Sequence, residues 1–133
     1  MSVSRNDLDR IADGAAISAL LYTYARAVDG KDWELYRSVF TDDAVIDYSS
    51  AGVIVGPRDE VVAWMAANFG AIEMSMHYIT NIELLDYDGD SATVRAMFYN
   101  PFRLPGPPSS PTAAGTTTTS WCAVKPAGAA DHY

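Results

Sequence analysis

Apolar residues recur at three- and four-residue steps over residues 8–28: Ile11, Ala15, Ile17, Leu20, Leu21, Tyr24, Ala25 and Val28. That spacing predicts an amphipathic helix, with Gly30 as its stop. A shorter helix is expected over 32–40, carrying Trp33, Tyr36, Val39 and Phe40 on one side. The period then drops to two. Ala44, Ile46 and Tyr48 fall on one face of a predicted strand over 44–48, Val45 and Asp47 on the other. Gly56-Pro57 opens a third helix, since proline suits the first helical position and Asp59 and Glu60 suit the positive end of the dipole. Val61, Val62, Trp64, Met65 and Phe69 form its buried stripe. Two strands are expected over 76–85 and 91–100, joined by Asp86-Tyr87-Asp88-Gly89-Asp90, a hairpin signal because a tight turn needs positive φ. A calcium loop is excluded there, because Met97 stands where the bidentate glutamate belongs.

Helices followed by antiparallel strands give an α+β layout, with helices packed on one face of a curved sheet. Such a sheet leaves a concave pocket suited to a small ligand. After residue 106 the character changes. Five of the seven prolines lie between Pro101 and Pro111, a threonine run covers 116–119, and small residues fill 127–130. Composition alone reads 107–133 as a loop or tail attached to a domain over 1–106.

The 133 residues fit one domain with its own core. Nine basic against 17 acidic side chains give a net charge of −8, which disfavours nucleic acid and anionic membrane surfaces as partners. The single cysteine, Cys122, rules out an internal disulfide and a multi-cysteine zinc site, and has no local activating partner. The N-terminus has no apolar leader, and no stretch is long enough to span a bilayer. The expectation is a cytoplasmic protein that takes a small-molecule ligand.

Candidate chemistry is sparse. There is no G-x-S-x-G elbow, P-loop, G-x-G-x-x-G or H-E-x-x-H. Asp29 sits near the end of the first helix, where its charge meets the negative end of the dipole. Either it serves a function or it is a turn aspartate, with Asp29 or Asp32 capping the second helix. His77, flanked by Met76 and Tyr78, and His132 are the only imidazoles. His77 is a base candidate or a satisfied core histidine. Tyr48 orients a water or substrate oxygen, or bonds a backbone carbonyl. Tyr24, Asn81, Arg95 and Asn100 are further candidates for a pocket wall, each with a plain surface or core alternative.

Residues 8–106 resemble the SnoaL-like branch of the nuclear transport factor two-like superfamily. Tyr24-Ala25-Arg26-Ala27-Val28-Asp29-Gly30-Lys31-Asp32-Trp33 and Val45-Ile46-Asp47-Tyr48 are similar to segments of scytalone dehydratase. Met76-His77-Tyr78-Ile79-Thr80-Asn81 is similar to the histidine strand of that enzyme and of hexachlorocyclohexane dehydrochlorinase. The resemblance implies a cone-shaped α+β barrel with a closed pocket, and an Asp29–His77 dyad with Tyr48 holding a water. It implies a cofactor-independent lyase or isomerase acting on a small cyclic molecule. Tyr24, Asn81 and Asn100 are the expected substrate contacts, and a homo-oligomer is the expected assembled form. Val28 stands where the dehydratase carries a second pocket tyrosine. Alternatives are a non-catalytic ligand-binding or dimerisation domain and an accessory subunit of a ring-hydroxylating dioxygenase.

The resemblance also bears on the tail. SnoaL-like relatives continue with a strand resembling Gly-Tyr-Tyr-His-His-Glu-Leu-Val-Arg, whereas this chain has a threonine run and then Ser120-Trp121-Cys122-Ala123. Read one frame over, four threonine codons give four codons ending in AC, which can encode Tyr-Tyr-His-His. Ser120, if its codon begins AG, permits Glu and then requires Leu, Trp121 into Cys122 requires Val, and Cys122 into Ala123 permits Arg. The tail is therefore expected to be a frameshifted version of the family's terminal strands.

Overall fold

Ser4 and Asp7 cap the first helix reciprocally. The Ser4 hydroxyl accepts from the Asp7 amide at 3.2 Å, and the Asp7 carboxylate accepts from the Ser4 amide at 3.0 Å. Helix α1 spans Arg5–Asp29 in a computed structural model that describes residues 4–107 and 113–124. It starts earlier than the hydrophobic pattern predicts because its first turn is capped by polar groups. Lys31 then takes a left-handed φ of 54° and turns the chain into α2, Trp33–Ser38. Asp32 caps α2 by accepting from the Leu35 amide at 3.0 Å. Capping thus falls to Asp32 and leaves the Asp29 carboxylate for other partners.

Strand β1 (Val45–Asp47) pairs antiparallel with β2 (Val55–Pro57), and Ile46 faces inward as the alternation predicts. Pro57 precedes α3, Arg58–Asn68. Arg58 is buried and donates to the Phe40 carbonyl and to the carboxylates of Asp42 and Asp59, tying α3 to the turn after α2. A 3₁₀ turn leads into β3 (Met74–Ser75), β4 (Tyr78–Tyr87), β5 (Ala92–Arg103) and β6 (Ala113–Val124). Gly89 supplies the positive φ, 97°, of the β4–β5 turn. Phe102 is opposite both Ser75 and Ala113, and Tyr99 opposite both Tyr78 and Thr116. A strand has two edges, so β3 and β4 share one edge of β5 and β6 lies along the other.

Helix α1 serves two cores. Ile17 and Leu21 pack with Ala92, Val94 and Ala96 of the sheet. Further along, Ala27 and Val28 pack with Tyr36, Ile46, Val61 and Met65.

The α+β architecture with N-terminal helices on antiparallel strands is present. Two expectations change. Among the described residues no barrel closes: the three-residue strands β1 and β2 pair only with each other, and no ladder joins them to β3–β6. The threonine run lies in β6 rather than in a loop, since β-branched residues suit strands and β5 offers a long edge to pair with. His132 lies outside the described residues, as do the side chains of β6, Cys122 included. Among the described residues no helix is long and apolar enough to cross a membrane.

Candidate functional site

Strands β3 and β4 keep one register against β5, so the two residues between them, Met76 and His77, fall opposite Pro101 and Asn100. Pro101 has no N–H to give, which leaves the ladder incomplete there. The Met76 amide still donates to the Pro101 carbonyl at 3.0 Å. The His77 amide leaves the ladder and donates to Asp29 Oδ2 at 2.9 Å.

Asp29, the last residue of α1, accepts two more hydrogen bonds on Oδ1. One comes from Ser75 Oγ at 2.9 Å and the other from His77 Nδ1 at 2.7 Å. Three donors offset the cost of a negative charge at a helix C-terminus. The imidazole is well buried, with 8% of its side-chain surface exposed. A carboxylate can only accept, so the neutral ring carries its proton on Nδ1 and its lone pair on Nε2.

His77 lines a cavity of about 280 Å³ between α1, α3, the 48–53 turn and the sheet. Its volume is at the lower end of small-ligand pockets. Val28, Trp64, Phe69, Ile72 and Phe98 make an apolar wall, and Tyr24, Tyr48 and Asn100 add polar groups. Asn100 Oδ1 is buried with no hydrogen-bond partner among the described residues. The Tyr48 hydroxyl lies 2.9 Å from that of Tyr24 and 2.7 Å from that of Tyr36. Burial raises Tyr48 well above the ordinary phenol range, with neighbouring Tyr24 and Tyr36 adding to it. Burial raises Tyr36 as well. Both hydroxyls therefore keep their protons at neutral pH.

Of the residues singled out in the sequence, the structure brings Asp29 and His77 together and sets Tyr24, Tyr48 and Asn100 around the same hollow. Asn81 is not brought there. It is exposed, has a φ of 52°, and sits where the β4–β5 register slips between Thr80 and Glu83. Arg95 pairs with Glu83 on the surface. Sequence reasoning missed Ser75 and Tyr36. Tyr36 reads as one more member of an apolar stripe, although a buried hydroxyl needs a partner and could have flagged it. Among the described residues no group of three or more His, Cys, Asp or Glu side chains is placed to hold a metal ion.

The sequence profile described as a SnoaL-like domain matches residues 9–128. An uncharacterised protein of Mycobacterium tuberculosis, Rv2910c, is 32% identical over 72% of this chain. The chain spans 65% of the length of the curated relatives it matches. A Novosphingobium aromaticivorans structure provisionally named an aromatic ring hydroxylase superposes with a TM-score of 0.76 at 27% identity, covering 86% of this chain and 79% of that one. Hexachlorocyclohexane dehydrochlorinase of Novosphingobium barchaimii gives 0.64 at 25% identity, over 74% and 67% of the two chains. A provisional scytalone dehydratase of N. aromaticivorans shares the fold alone, with a TM-score of 0.68 at 17% identity over 92% and 98%.

Proposed function

The chain belongs to the SnoaL-like domain family, and from that premise we propose that it is a cofactor-independent lyase or isomerase that moves a proton on a small cyclic molecule. His77 acts as the base and Asp29 as its carboxylate partner. One observation carries this reading: the Asp29 carboxylate occupies His77 Nδ1 at 2.7 Å while the same ring lines the cavity. With Nδ1 taken, Nε2 is the nitrogen left for a ligand. It accepts a proton from a substrate carbon, and the carboxylate stabilises the imidazolium that forms. The largely apolar wall lowers the local polarity and strengthens that pairing. Dehydration, dehydrohalogenation and double-bond migration all begin with this proton removal. The dehydrochlorinase among the structural relatives supports the same class of chemistry.

A ligand-stabilisation screen of cyclic ketones, phenols and halogenated rings tests the reading, with turnover of each hit followed in wild type and His77→Ala. The expected result is binding by both and turnover by wild type alone. Turnover retained in His77→Ala removes the imidazole from the chemistry.

A further inference from the structure

Alternate residues of a strand share a face, so the helix-facing side of β5 reads Ala92, Val94, Ala96, Phe98 and Asn100. The first three are buried with Ile17 and Leu21 of α1, and Phe98 packs against the same core. Asn100 is the one polar side chain in that row. Its Oδ1 is buried and has no hydrogen-bond partner among the described residues. A carbonyl oxygen that gives up water without gaining a donor is costly, and folded proteins seldom leave one so. A mismatch of this kind between a residue and its surroundings is expected where a ligand supplies the missing group. Asn100 lines the cavity together with Phe98 and His77. His77 falls opposite Asn100 in the register of β5. Side chains directly opposed in an antiparallel pair start from Cβ atoms about 4.5–5.5 Å apart on one face, so the amide and the imidazole stand side by side. With no bond to hold it, the Asn100 carbonyl is free to turn toward a donor in the cavity.

We propose that Asn100 determines specificity by accepting a hydrogen bond from the ligand, and that the substrates are therefore rings carrying an N–H or O–H beside the carbon whose proton His77 removes. The proposal rests on the reading of His77 as base and adds to it the group by which the ring is oriented. Asn100 Oδ1 takes the ligand's hydrogen bond while the donor keeps its proton. No bond breaks at Asn100, so its part is to hold the ring and that of His77 is to move the proton. A ring without a donor leaves the oxygen unpaired and binds more weakly.

The experiment is calorimetry of three bicyclic probes of nearly one shape with wild type, Asn100→Leu and His77→Ala. Indole brings an N–H, benzofuran has an oxygen in its place, and indene has neither. Wild type is expected to bind indole about tenfold tighter than benzofuran or indene. Asn100→Leu removes that preference by weakening indole alone, and His77→Ala keeps it. Equal affinities in wild type, no binding of indole, or a preference that survives in Asn100→Leu overturns the proposal. So does loss of the preference in His77→Ala, which would make the imidazole the acceptor. A second measurement needs no ligand. Leucine at position 100 removes the unpaired oxygen, so Asn100→Leu should unfold at a Tm no lower than wild type. A Tm several degrees lower means that the amide is satisfied within the fold, and overturns the proposal. None of these readouts needs turnover, so an intact indole preference beside undiminished turnover in His77→Ala would fault the base and leave Asn100 standing.

Discussion

Replacing Asp29 by alanine removes one carboxylate that accepts from Ser75 Oγ, the His77 amide and His77 Nδ1 at 2.9, 2.9 and 2.7 Å. Hydrogen bonds to a charged group contribute about 1.5–3 kcal/mol each. Asp29 keeps 28% of its side chain exposed, so water replaces part of what is lost. The expected cost is about 2–4 kcal/mol, or about 7–14 °C in Tm at the usual unfolding entropy per residue. Asp29→Asn is milder for stability, because the amide oxygen can still accept from the His77 amide. It is severe for chemistry, because the amide nitrogen then faces Nδ1 and drives the ring proton to Nε2. Turnover should fall by about 10³–10⁴-fold, in line with such a tautomer change in a serine protease triad. Thermal unfolding followed by circular dichroism, beside turnover of a screened ligand, measures both effects. An alanine variant as stable as wild type, or an asparagine variant with turnover within a few-fold, would refute the reasoning.

Three further outcomes are expected. Hydrogen bonds from Arg37 and then Arg58 hold Asp59 at about 2, below its ordinary 3.8. A carboxylate depressed in the folded state stabilises above its unfolded pKa and loses that contribution as pH falls from about 4 to about 2. Asp59→Asn should therefore flatten the acid limb of a denaturation profile, and an unchanged limb would contradict the pairing. Tyr87 donates to Asp13, which with burial pushes the phenol up to about 12. Its contribution is present below about 10 and lost as pH climbs to about 12, so Tyr87→Phe should be less sensitive to alkali than wild type; equal alkaline midpoints would count against it. Finally, we propose that residues 107–133 read a shifted frame, and sequencing of the coding DNA should reveal Tyr-Tyr-His-His and Leu-Val one frame over; its absence rejects the idea.

Helix α1 was legible because its apolar face serves two cores between Ile17 and Val28, enough for the period to stand out, although Ile11 of the same pattern is exposed. The strand of Ile46 and the turn at Gly89 were legible for equally local reasons. The pairing of Asp29 with His77 was not, since 48 residues separate them and local patterning does not say which strand meets the end of α1. Resemblance, rather than periodicity, pointed to those two positions. Asn81 was misjudged because strand alternation cannot anticipate a bulge, and the residue sits where the register slips. The role of Tyr36 was hidden because hydrophobic patterning treats tyrosine as apolar bulk, and its hydroxyl matters only once Tyr48 is brought beside it.

Nitrogen-15 NMR of the neutral His77 ring tests most directly whether Asp29 sets the imidazole as a base toward the cavity. The geometry predicts a protonated, pyrrole-type Nδ1 and a lone-pair, pyridine-type Nε2 in wild type, with the two reversed in Asp29→Asn. A pyrrole-type Nε2 in wild type would contradict it.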